Sequence, residues 1–262
     1  MMRAVLALAR REFIRFLRQP HRVAGSVGQP LLFWLFLGAG FTGSFRPPGM
    51  EGISYLEFFY PGVLMMMVLF ASIFSSITII EDRDQGFLQG VLVAPVPRIA
   101  IVLGKVLGGT SIAMVQCLLF LLLSPFLGLT MSVSGMLMVV AVLGLSSIGF
   151  TALGFLIAWS MRSTAGFHAI MMVFLMPLWM LSGALFPVNH VPGWLHVIMV
   201  ANPVTHALRA LRMPFYAGGG EVLGNPDFFI SLAVVLVWVV GCLYLSMVRV
   251  GRSERGVALS SL

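Results

Sequence analysis

The chain has 262 residues, of which 59% are hydrophobic and 10% charged, against about 25% charged in soluble domains. With a mean hydropathy of +1.01, that composition excludes a soluble globular domain. The net charge of +7 then bears on membrane topology and not on nucleic acid, because the basic residues sit at the ends of apolar runs.

Both cysteines, Cys117 and Cys242, lie inside apolar runs and give no disulfide framework. The charged N-terminus lacks the short apolar core of a cleavable signal.

Residues 3–19 predict a basic amphipathic helix lying in the membrane interface. Arg11, Arg15 and Arg18 fall at i, i+4 and i+7, on a stripe expected to face anionic headgroups. Leu6, Ala9, Phe13, Phe16 and Leu17 form the opposite, apolar stripe. A plain charged tail that sets topology is the alternative. Pro20 ends the helix.

The first span is expected at Val23–Phe41, with a bend at Gln29-Pro30, and is just long enough for a hydrocarbon core of ~30 Å. A turn-rich loop over 42–57 follows. The second span, Phe58–Ile80, ends in Ser72, Ser75, Ser76 and Thr78, small polar groups expected on a helix-packing face.

Glu81–Lys105 comes next. A charged knot, Glu81 to Asp84, precedes a short apolar piece, Phe87–Ala94, which Pro95 and Pro97 stop. It is expected to be a compact loop with a short helix on the membrane surface, open to a partner or simply connecting two spans. Its Gly104-Lys105 lacks the upstream glycine and the following Ser/Thr of a phosphate-binding loop.

Val106–Met161 carries no Asp, Glu, Lys or Arg. It divides into spans at Val106–Leu127 and Met136–Ser160, with a hairpin at Gly128–Gly135. Gly144, Ser147, Thr151, Gly154 and Ala158 form a small-residue stripe on the second of these. A fifth span is expected at Thr164–Leu185.

Residues 186–227 are too polar and too broken to cross. They predict two short re-entrant helices, Val188–Ala201 and Val204–Tyr216, and then a turn at Gly218–Gly220. The last span is Phe228–Val248, before a basic tail of Arg249, Arg252 and Arg255.

The fold class is therefore all-α: one polytopic unit over 1–262 with six transmembrane helices. Thirteen of its 16 Lys/Arg fall on the side of both termini, leaving Arg46, Arg209 and Arg212 opposite. The positive-inside rule makes the thirteen cytoplasmic, and residues 186–227 extracytoplasmic.

Arg209 and Arg212, with His206 one turn before Arg209, are costly on a re-entrant piece unless solvated or paired. Two expectations stand. They receive the phosphate of an anionic or lipid-linked cargo, or they snorkel to headgroups or pair with Glu221 or Asp227. His190, His196 and His206 match no tight metal spacing. Paired carboxylates inside a span, as a proton relay needs, are missing too. Neither a Ser/His/Asp nor a Cys/His arrangement is supported, so an integral-membrane enzyme is disfavoured.

Together with EDRDQGFLQGVLVAPVPRIAIVLGK at 81–105, SGALFPVNHVPGWL at 182–195 and NPVTHALRALR at 202–212, this layout resembles an ABC type-2 exporter permease over essentially the whole chain. Drug-resistance and lipo-oligosaccharide export permeases are the nearest subgroups. The resemblance implies a homodimer in the plasma (inner) membrane, both termini cytoplasmic, resting on two separate ATPase subunits. ATP and Mg would sit on those partners; this chain would bind no cofactor or metal and would not be an enzyme.

It also implies that 81–105 couples the ATPase to transport. Phe87, Leu88, Val91 and Leu92 would insert into a groove on the ATPase. Glu81, Asp82 and Arg83, with Asp84, would tether the loop, partly by pairing with the arginines of the N-terminal helix. The path would run at the dimer interface, along the first, second and fifth spans, for an amphipathic, lipid-linked or drug-like cargo. A membrane assembly or regulatory subunit without transport is the rival.

Overall fold

A computed structural model describes residues 1–43, 52–129, 131–217 and 219–259. Arg46 and Gly218, and the side chains of Arg252 and Arg255, lie outside the described residues.

Helix α1 (Met2–Leu17) lies at one end of a bundle. The spans follow as α2 (Pro20–Thr42), α3 with α4 (Tyr55–Ser75 and Ile77–Asp84), α6 (Arg98–Leu121), α7 (Val133–Ser160), α8 (Thr164–Trp179) and α12 (Pro226–Leu259). Six helical segments among the described residues are long and apolar enough to cross a membrane. Short α5 (Phe87–Val93) joins α4 to α6, while α9 (Gly193–Ala201), α10 (Pro203–Tyr216) and α11 (Gly219–Gly224) sit between α8 and α12.

The third helix is the hub. It packs against α2, α6, α7, α8 and α10, and 83% of its most apolar window is buried, against 17% for α2 and 22% for α8. Buried ring donors pin it to its neighbours. Tyr60 Oη donates to the Phe120 carbonyl (2.6 Å), and Trp179 Nε1 to the Gly62 carbonyl (2.8 Å). Small polar groups do the same. Ser72 and Ser147 hydroxyls meet at 3.0 Å, and a Cβ on Gly154 would lie 2.9 Å from Ile73 Cα. The stripe on α7 therefore meets α3 at Ser147 and Gly154. Gly144 has open space, with only Met114 Sδ near at 3.9 Å.

Several helices begin before the hydropathy boundaries, while α6 and α8 end before theirs, at Leu121 and Trp179. Pro20 does not merely end α1; it opens α2, where a first-turn proline loses no hydrogen bond. The break at Ser76 falls where Ser75 Oγ and Thr78 Oγ1 donate to the carbonyls three residues back (2.6 and 3.0 Å), which competes with the helical ladder. Beyond it the helix continues through the charged knot to Asp84. Correspondingly, α6 begins at Arg98, directly after Pro97, so Lys105 is two turns inside a span and not at its edge. The expected loop at 81–105 is thus a helix end, a left-handed turn at Gly86 (φ 75°), a two-turn helix and a helix start.

At the far end, α8 passes into a wide turn over Met180–Ala184, in which Gly183 takes φ 87°. The side chain of Asn202 holds the end of α8, just before this turn, to α10. Its Oδ1 accepts from Val204 N (2.9 Å) as an N-cap, and its Nδ2 donates to the Leu178 carbonyl (2.6 Å). Helix α10 then buries Val204, Ala207, Leu208, Leu211 and Phe215 against α3, α7 and α12.

Candidate functional site

Helix α1 docks on α6 through two glycines four residues apart. A Cβ on Gly104 would stand 2.7 Å from Leu8 Cβ, and one on Gly108 2.7 Å from Glu12 Cβ. Only a bare backbone lets the two helices approach this closely. The buried face of α1 is Val5, Glu12 and Phe16.

The expected orientation of α1 is corrected accordingly. Leu6 and Leu17 of the apolar stripe stay 57% and 50% exposed, and the departure is in the arginines. Arg11 and Arg15, expected toward headgroups, turn into the protein. Arg18 alone of the three is exposed.

The inward turn is driven by charge. Arg11 grips the fully buried Asp82 with both terminal nitrogens, at 2.9 and 2.8 Å. Arg15 reaches Asp82 (3.1 Å) and Glu81 (2.7 Å). Lys105 Nζ donates to Glu12 (2.7 Å), to Thr78 Oγ1 (3.2 Å) and to Asp82. Three cations and three carboxylates thus close on one another where α1, α4 and α6 meet. Asp82 holds Arg11 above its ordinary pKa, chiefly through their hydrogen bonds. Single buried charges are expensive, and a network is tolerated only when every member is satisfied.

Arg83 does not join this tether. It donates to the carbonyls of Trp159 (2.7 Å) and Met161 (2.8 Å), so it caps the C-terminal end of α7. Asp84 is exposed and makes no ion pair among the described residues.

Helix α5 is also turned the other way from expectation. Leu88 is 4% exposed, Val91 and Leu92 pack on the core, and Phe87 lies under the Arg11 guanidinium, 3.6 Å from ring centre to Cζ. These four side chains fasten α5 to its own chain, Leu88 buried and the other three half-buried. The strip left outward is Gln85, Gln89, Gly90 and Val93, the last 87% exposed.

Next to the ion network is a cavity of about 230 Å³. Glu12, Arg15, Arg22 and Gln29 are among its polar lining, and Met66, Phe70, Phe74 and Met176 among its apolar walls. It lies in the seam between α2 and α8, where α3 shows Phe70, Ala71 and Phe74, each only half-buried.

At the opposite end, Arg209 and Arg212 line a second cavity of about 670 Å³ with Glu221. Neither arginine makes an ion pair with Glu221 or Asp227 among the described residues, which corrects the expected pairing. His206 is not part of the cavity wall; its Nε2 lies 2.9 Å from the Val200 carbonyl.

The sequence profile of the ABC-2 type transporter family matches residues 3–216, so the chain belongs to that family. It is a multi-pass transport permease of the ABC-2 kind. The chain is 33% identical over 211 residues to a putative transport permease, ycf38, of Cyanophora paradoxa, covering 79% of this chain and 72% of the relative. Similarity at 28% extends over 216 residues to the daunorubicin resistance ABC transporter permease protein DrrB1 of Streptomyces coeruleorubidus (80% and 74% covered). It extends at 28% over 222 residues to nodulation protein J of Rhizobium meliloti (81% and 78%). The matched region contains α1 through α10, hence both the ion network and the Asn202 clamp.

Proposed function

We propose that the chain is the membrane subunit of an ATP-driven exporter of amphipathic molecules. It would pair with a second copy in the plasma membrane and be served by two separate ATPase subunits that hold ATP and Mg²⁺. The basic end, with both termini, α1 and α5, faces the cytoplasm by the positive-inside rule.

The ion network carries this proposal. It joins α1 rigidly to α4 and α6, and the Arg11–Phe87 contact adds α5 to the same body. A force applied to the outward strip of α5 would therefore move two spans together. The seam between α2 and α8 is the place where such a movement would change the bundle, since both helices are weakly held. Their outward Phe36, Val173 and Phe174, 74%, 69% and 65% exposed, suit a second copy or lipid. The cavity in that seam has a charged end and a Met/Phe-rich remainder, which fits a cargo with a polar head and an apolar body. The drug-resistance name of the Streptomyces relative agrees with such a cargo.

The test is co-purification. The tagged full chain, extracted gently from its native membrane, is expected to carry a stoichiometric soluble chain with a Walker A motif. Val93→Glu, on the outward strip of α5, is expected to lose that partner while the permease stays folded. A crosslinked preparation without any ATPase would overturn the proposal.

A further inference from the structure

The cavity at the end away from the ion network holds two guanidinium groups that pair with no carboxylate among the described residues. Arg212 is fixed in place: Nη2 donates to the Gly183 carbonyl (3.1 Å), and the group lies over the Phe58 ring, 4.3 Å from Cζ to its centre. The phenols of Tyr55 and Tyr216 flank it, but both spend their protons on backbone carbonyls, those of Leu185 (3.2 Å) and Glu57 (3.0 Å). Arg212 Nε is shut off from solvent with no hydrogen-bond partner. Burial drives the pKa of Arg212 down to about 10, so the group stays charged at neutral pH. Arg209, one turn away on the same wall, has no ion pair among the described residues. Elsewhere in this chain buried cations are answered by carboxylates, as Lys105 is by Glu12 and Asp82. Here the one acid on the wall, Glu221, pairs with neither arginine among the described residues.

We propose that this cavity is a binding site for an oxyanion, phosphate or carboxylate, presented as the headgroup of an amphiphile. Guanidinium forks match the two oxygens of such a group, and an anion entering here supplies the missing charge at a desolvated site. Leu208, Met213 and Val222 on the same wall offer apolar contact for what the headgroup is attached to. The site stands on this geometry alone, apart from the exporter proposal.

The test uses the full chain in nanodiscs made only of phosphatidylcholine, without any ATPase. Dihexanoyl phosphatidic acid, dihexanoyl phosphatidylcholine and inorganic phosphate are titrated, with Tm and tryptophan fluorescence as readouts. Phosphatidic acid is expected to raise Tm saturably and the phosphatidylcholine not. Arg212→Gln is expected to weaken binding about ten- to a hundredfold, the loss of one or two charge-assisted hydrogen bonds. Arg209→Gln, on the wall, gives the same test if Arg212→Gln fails to fold. Arg10→Gln, on exposed α1, serves as the control and keeps the affinity. A response to inorganic phosphate as strong as that to phosphatidic acid keeps the oxyanion site but removes the headgroup. Equal responses to the two lipids, or an affinity untouched by Arg209→Gln and Arg212→Gln, overturns the proposal. None of these outcomes bears on ATPase association.

Discussion

Arg11 and Asp82, seventy-one positions apart, share two parallel hydrogen bonds of 2.9 and 2.8 Å at the meeting point of α1 and α4. A planar fork on a carboxylate sets direction as well as distance. It fixes α1 in rotation, not merely in place.

Breaking that pair from the acid side should be severe. Asp82→Ala leaves Arg11, Arg15 and Lys105 sharing Glu12 and Glu81 alone in a buried site, at a cost of about 3–5 kcal/mol. Thermal unfolding in detergent should show a large fall in Tm. A double-mutant cycle with Arg11→Met should return a coupling of about 1–3 kcal/mol, because the two residues act as one unit. Additive losses would show that the contact carries no energy of its own.

Gly108→Val should detach α1 without removing a charge. Its Cβ would meet that of Glu12 at 2.7 Å, and overpacking of this kind costs about 1–3 kcal/mol. Proteolysis of the first twenty residues should become faster, while Gly40→Val, where nothing lies within 4 Å of the added Cβ, should leave it unchanged.

Asn202→Ala should loosen the join between α8 and α10. The variant loses the cap on Val204 N and the bond to the Leu178 carbonyl, worth about 1–2 kcal/mol in caps of this kind. Asn202→Asp keeps the cap and loses only the second bond, so its Tm should lie between those of wild type and Asn202→Ala.

Tyr216 gives a pH signature. Burial first, and then Glu57, push its pKa up to about 12, against the pull of Arg212. A phenol that holds its proton more tightly when folded contributes stability that is complete below about pH 10 and is lost as pH rises through about 12. Tyr216→Phe should flatten the fall in stability across that window, measured as the difference from wild type.

Much of the architecture was legible in the chain. Apolar runs gave the six spans, and Asn202-Pro203 with Arg209 and Arg212 marked the broken segment before the last of them. Two things were not legible, for one physical reason. Charge in an apolar sequence reads as a membrane boundary, yet Asp82 and Lys105 neutralise each other inside the protein, and their helices run on past them. Periodicity reveals a stripe without saying what covers it. The arginine stripe of α1 was plain, but its acids lay on a helix more than sixty residues away. The apolar face of α5 was equally plain, and its partner proved to be its own chain. The spacing of Gly104 and Gly108 was the available signal that a helix lies on α6 at that point.

The six charges of the α1–α4–α6 cluster sum to zero, with Arg11, Arg15 and Lys105 against Glu12, Glu81 and Asp82. An amphipathic helix held by anionic lipid comes and goes with the composition of the leaflet and with salt. This one carries its own counter-ions indoors. The hold of α1 on the bundle is therefore set by charges inside the protein and not by those of the leaflet.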